Sequence, residues 1–213
     1  MATRSARPKT PPKPYHHGDL RAALVEASLA IIEELGPEQV TVREAAKRAG
    51  VSSGAPFRHF PNRTALMTAV AEEAQRRFRI ELDAALAGAP SEPLARLHAL
   101  GEAYLRWAIG NPTHFRVISA RNLIDYDSSA YLTRDNDEVR AMMTAMLAAA
   151  ARRGDLAADD LPHLQIASRA LVYGLARMYV DGHFAQWGRD GETAEATLTK
   201  TLALFVELLG GGS

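Results

Sequence analysis

The chain has 213 residues, 47% of them hydrophobic and none of them cysteine, and its 25 Lys and Arg balance 25 Asp and Glu. That length can bury a substantial core in one or two domains. The lack of cysteine excludes a disulfide framework and thiolate chemistry and suits a reducing, cytoplasmic setting. No apolar run approaches a membrane span, and the basic N-terminus lacks the apolar stretch of a signal peptide. Alanine and leucine dominate, and no β-branched run of period two appears, so the expected fold is all-α.

Residues 1–14 form a low-complexity arm with four prolines, no acid, and Arg4, Arg7, Lys9 and Lys13. Proline removes donors and blocks helix, so the arm is expected to be disordered, either lying along phosphates or serving as an inert tail. Asp19 is placed to cap the first helix, whose Leu20, Leu24, Ala27, Ile31 and Leu35 make one core-facing stripe. Gly36-Pro37 ends it. His16-His17 has no further ligand at metal spacing, so no metal site is assigned.

Thr41 to Phe60 reads as two short helices around a tight turn. Thr41, with Glu44 three residues on, has the pattern of a capping box. The first helix runs from about Val42 to Arg48. Gly50 supplies a positive φ where the chain reverses, and Ser52 is placed to cap the second helix. That helix carries Phe57, Arg58 and His59 before Pro61. Small Ala45, Ala46 and Ala49 allow close crossing. This is the shape of a DNA-binding helix-turn-helix, whose second helix enters the major groove. Arg43 is a phosphate candidate, whereas Lys47 and Arg48 read as solvated. Ser52, Ser53, Gly54, Ala55, Arg58 and His59 are the candidates for base edges. Pro56 deletes an early backbone hydrogen bond, which predicts an irregular start to the recognition helix. Phe60 reads as core.

Asn62 is placed to cap a long helix over Thr64 to Ala87, with Leu66, Val70, Ala74, Phe78, Leu82 and Leu86 in series. Beyond Gly88-Ala89-Pro90, helices are expected over Glu92 to Ile109, His114 to Leu123, Tyr131 to Arg153, Asp160 to Ala185 and Glu192 to Leu209. The last two are apolar enough to need cover on more than one side, from the chain's own core or from a second subunit. Charge is divided: residues 1–63 carry 10 Lys and Arg against 6 Asp and Glu, and the remainder carries 15 against 19. A basic head on an acidic body suits a polyanionic partner.

On these residues the chain resembles the tetracycline-repressor (TetR) family of bacterial transcription regulators. The resemblance runs from Leu20 to Leu66 through Leu35-Gly36, Val40-Thr41-Val42-Arg43, Ala45-Ala46, Ala49-Gly50-Val51-Ser52, Gly54, His59-Phe60 and Leu66. The later segments Tyr104 to Phe115 and Tyr173-Gly174 are similar to a C-terminal subtype called WHG, although Val172-Tyr173-Gly174 departs from its Trp-His-Gly pattern. The resemblance implies a basic arm over 1–14, a helix-turn-helix domain over 15–64, and an effector-binding and dimerisation domain over 65–213. It also places Tyr15 and His17 near the DNA backbone. Thr41 joins the DNA-contacting set, and Arg63 stands where the family often has a phosphate-contacting lysine. Phe57 replaces a usual tyrosine.

The resemblance further implies a homodimer, built from the last two helices of each chain and fitted to a palindromic operator. Leu164, Leu171, Leu175, Leu198, Leu202, Phe205 and Leu209 are the expected interface residues. Tyr104, Trp107, His114, Phe115, Arg121, Asn122, Tyr126, Met142, Met146, Tyr173, Arg177 and Met178 are candidate pocket residues for an unidentified small-molecule effector, or simply core. Arg121, Arg177 and His114 would anchor an anion, or pair with nearby acids. No catalytic constellation and no cofactor motif is present, so the chain reads as a non-enzyme. Two alternatives are a helix-turn-helix regulator without a small-molecule effector, and an all-helical enzyme or lipid-binding module.

Overall fold

A computed structural model describes residues 20–52, 54–156, 160–187 and 192–211. Among these residues the fold is all-α, with no strand. Helix α1 spans Leu20–Leu35, and its buried Leu24, Ile31 and Ile32 pack on α2, Val42–Arg48, and on α3, Arg63–Ala87. The Thr41 hydroxyl accepts from the Glu44 N–H at 3.0 Å, one half of the expected capping box. Helix α2 ends as predicted: Gly50 has φ of 70°, and Val51 N–H reaches back to the Ala46 carbonyl at 3.0 Å. Asn62 caps α3 through Ala65 N–H at 2.8 Å.

The recognition segment differs from expectation. In place of a helix capped by Ser52, a four-residue 3-10 turn spans Ala55–Arg58, with Gly54 before it and no side-chain cap. Pro56 has no N–H to donate, and Phe60, preceding Pro61, is biased away from helical backbone. Between these two constraints only one turn fits. Asp19 lies outside the described residues.

In the body, α4 (Pro93–Gly110) is central and packs on α3, α6 (Ala130–Arg153), α7 (Leu161–Val180) and α9 (Ala194–Leu209). A Cβ on Gly101 of α4 would lie 3.0 Å from Leu202 of α9 and 3.4 Å from Val172 of α7, so glycine permits this approach. Helix α5 (Pro112–Ser119) contacts both α1 and α3, and a short turn at Arg121–Leu123 follows it. The expected helix over Asp160 to Ala185 stops at Val180. Gly182, at φ of 77°, closes a C-terminal motif in which His183 N–H donates to Met178 O at 2.8 Å, and α8 (Phe184–Trp187) follows.

Two apolar cores share α3. Leu66, Met67 and Val70 belong to the first, with α1 and α2, whereas Phe78, Leu82 and Leu86 belong to the second. Val117 of α5, Ile124 and Leu132 of α6 sit in the first core, so the body reaches into the head. Ion pairs add to that contact. Arg77 of α3 holds Glu26 of α1 and Glu73, and lies 3.2 Å from His114 of α5. No helix among the described residues is long and apolar enough to cross a membrane.

The expected interface residues have cover within this chain. Leu175, Leu198, Leu202 and Leu209 are buried within this one chain, and Leu164, Leu171 and Phe205 are half-buried against the same core. An amphipathic stripe shows that a face is covered, and here α4 and α6 contribute to that cover, with Gly101 of α4 close to Leu202. The exposed apolar residues of these helices are Ile166 and Tyr173 on α7 and Leu204 and Leu208 on α9.

Candidate nucleic-acid interface and effector cavity

The head presents its recognition turn on a buried base. Pro56 and Phe60 face inward, while Ser52, Gly54, Phe57, Arg58 and His59 are exposed and Ala55 is half-buried. Arg43, early in α2, is exposed as well. Neither Arg43 nor Arg58 has an acidic partner among the described residues, so both guanidinium groups are available to phosphate or base edges. Tyr15, His17 and Ser53 lie outside the described residues.

Three other polar groups have local duties. Lys47 lies 3.7 Å from Glu44. Arg48 pairs with Glu34, and that hydrogen bond holds the Glu34 carboxyl below its ordinary pKa. Arg63 is turned inward, donating from Nε to Val40 O and from Nη2 to Pro37 O, both at 2.8 Å. It ties the start of α3 to the connection between α1 and α2. That duty, invisible in the sequence, joins Arg63 to the first residue of a short 3-10 turn at Pro37–Gln39, whose Pro37 O also accepts from Val40 N–H at 3.2 Å, and to the Val40 carbonyl just beyond it.

The body contains a cavity of about 330 Å³ between α3, α4, α6, α7 and α9. Its wall is mostly apolar: Phe78, Leu82, Leu100, Val172 and Leu202 are buried there. Of the expected pocket residues, Tyr104, Arg121, Tyr126 and Tyr173 line it. Trp107, His114, Phe115, Asn122, Met142, Met146, Arg177 and Met178 are not among its lining residues. Trp107 and Phe115 instead stand behind the wall, with the Trp107 ring 4.7 Å from Phe78 and the Phe115 ring 6.3 Å from Tyr104. Arg177 is paired with Asp181 at 2.7 Å. His114 faces Arg77, and burial followed by that cation pushes its pKa down.

Sequence reasoning missed Arg169, which lines the cavity with its guanidinium carbon 4.8 Å from the Tyr104 ring centroid. Burial raises the pKa of the Tyr104 phenol, and Arg169 opposes the shift. Gln75, Ser119, Asn136 and Ser168 were missed too. Gln75 donates to the buried Asp135 at 2.6 Å, and Asp135 also accepts from Arg79 at 2.9 Å, fixing this wall to α6. Helical spacing alone does not separate residues that face a void from residues that face another side chain.

A helix-turn-helix head, joined through one shared helix to an all-helical body with an internal cavity, defines a class: DNA-binding transcription regulators. Comparison with known proteins agrees. Residues 24–70 match the family model described as bacterial regulatory proteins, tetR family, and residues 97–203 match the tetracyclin repressor-like C-terminal domain. The chain belongs to the TetR family of bacterial transcription regulators. Among solved structures it is similar to a protein of unknown function from Rhodococcus sp. RHA1, at 26% identity and a TM-score of 0.77 over 93% of this chain and 100% of that one. It shares its fold with the ketosteroid regulator KstR2 of Mycobacterium tuberculosis, at 21% identity and a TM-score of 0.64 over 92% and 97% of the two chains. The same holds for the fatty acid degradation regulator FadR of Bacillus halodurans, at 16% identity and a TM-score of 0.65 over 93% and 98%. A search of curated protein sequences finds no match.

Proposed function

We propose that the chain is a homodimeric, non-catalytic repressor that binds a palindromic operator in the cytoplasm and is released by a small molecule in the body. One observation carries this reading. Helix α3 holds head-core residues Leu66 and Val70 at one end and cavity-wall residues Phe78 and Leu82 farther along. A ligand that prefers a different setting of α3 shifts the heads by its differential affinity for the two states. The division at 15–64 and 65–213 is part of the proposal, with the body's Val117, Ile124 and Leu132 as the coupling contacts. The second copy is proposed to cover Ile166, Tyr173, Leu204 and Leu208. A regulator without an effector would have a filled body, and the cavity weighs against it.

The test is a DNA titration against the promoter region beside the coding sequence, at two salt concentrations. Phosphate contacts predict a steep loss of affinity as salt rises. Arg43→Ala should weaken binding to all duplexes, whereas Arg58→Ala should also relax sequence preference. Arg63→Ala separates two roles. As a phosphate contact it costs affinity alone; as a clamp on Val40 and Pro37 it also lowers the melting temperature without DNA. Binding to neither promoter nor random duplex would sink the proposal.

A further inference from the structure

The charge lining the cavity is one-sided. Two arginines, Arg121 and Arg169, line it, and no aspartate or glutamate does. Several other arginines of the body are engaged: Arg79 on Asp135 and Glu138, Arg177 on Asp181, Arg116 on the Val180 carbonyl. Arg121 and Arg169 have no carboxylate partner among the described residues and lie instead over tyrosine rings, at 3.2 Å from the Tyr126 centroid and 4.8 Å from that of Tyr104. A guanidinium over a ring engages it through its face. Arg169 also engages the Tyr104 hydroxyl, and each guanidinium, with five N–H donors and no carboxylate to hold it, keeps donors for a carboxylate or phosphate fork.

The platforms beneath them are fixed. The Tyr126 hydroxyl donates to Leu132 O at 3.1 Å, and Tyr104 packs edge-on against Phe78 at 5.2 Å. Both arginines are exposed, so they mark the mouth of the cavity, whereas its buried interior is apolar. A cation entering here meets two like charges and no counter-charge. A neutral apolar molecule leaves both guanidinium groups unanswered. An apolar body ending in one anionic group satisfies the interior and the mouth together.

We infer that the effector is an apolar acid, seated body-inward, with its anionic group held at the mouth by Arg121 and Arg169. The inference rests on the reading of this cavity as the effector site. The test is calorimetric titration of the full chain with decanoate, decan-1-ol and decyltrimethylammonium, and with 2-naphthoate and 2-naphthol as a second, flat body. At least one acid should bind about tenfold tighter than its matching alcohol, with the preference shrinking as salt rises. The ammonium should not bind. In the Arg121→Gln, Arg169→Gln double variant, the acid should fall to the alcohol's affinity while the alcohol binds as before. If the double variant does not fold, the single variants and the wild-type acid-to-alcohol ratio still decide the matter. Equal affinity for acid and alcohol, tighter binding of the ammonium, or no binding of either acid overturns the inference. Adding the same ligands to the operator complex separates the two claims. An acid that binds selectively but leaves operator affinity unchanged supports this ligand class and refutes release by the cavity.

Discussion

In the head, Leu24, Ile31, Leu66, Met67 and Val70 are fully covered and pack on one another. In the body, Phe78, Leu82, Leu100 and Leu202 are almost as well covered, yet they border a void of about 330 Å³. One helix, α3, runs through both regions. Close-packed interiors resist volume changes and transmit strain, whereas a partly empty one lets side chains give way. Under the function proposed above, the head carries a fixed surface, while the body accepts a change of contents and passes it along α3.

Matched substitutions put that contrast at risk. Leu66→Ala should cost about 2–5 kcal/mol, because Leu66 is fully buried and its truncation leaves a cavity. Chemical unfolding checks it, and a loss below about 1 kcal/mol would mean the head is looser than its burial implies. Adding one or two carbons at a small residue should separate the regions more sharply. Ala45→Val, at a fully buried site in α2, should cost about 1–3 kcal/mol. Gly101→Ala should change stability by less than about 1 kcal/mol, since Leu202 can shift into the void and alanine favours helix. Equal costs at the two sites would erase the difference between the cores.

Thr41→Ala removes the α2 cap and should cost about 1 kcal/mol, read as a lower melting temperature. The smallest effect is a pH dependence at the seam between the regions. Burial, then Arg77, lowers the His114 pKa below 6.5, against the opposing pull of Glu26, Glu73 and Glu33. The unfolded chain therefore takes up the proton first as pH falls. The His114 contribution is complete above the unfolded value of 6.5 and is lost as pH drops below it. His114→Gln should reduce the fall in melting temperature on acidification toward about pH 5. An unchanged slope would show that His114 does not sense this seam.

What the sequence revealed was the chemistry that acts over a few residues. Thr41, Gly50 and Asn62 cap or turn the chain as expected, because each acts on backbone groups within four positions. The end of α7 was legible by the same rule, since Asp181-Gly182 is a stop signal, although the helix expected from the sequence runs on to Ala185. Leu198 and Leu202 show the limit of periodicity, which marks a buried face without naming the partner that buries it. Arg63 and Arg169 were harder still. Their neighbours are Val40 and Tyr104, far along the chain, and no local pattern announces a carbonyl or a ring brought near by folding.

The chain has only two tryptophans, and the fold gives them opposite surroundings. Trp107 is buried against Phe78, one residue behind the cavity wall, while Trp187 is 74% exposed past the end of α7. Intrinsic fluorescence therefore carries two separable colours without any label: a blue emission from the interior and a red one from the surface. Iodide quenches the red component first. Whatever remains reports the surroundings of Trp107 behind the cavity wall, readable in the native protein.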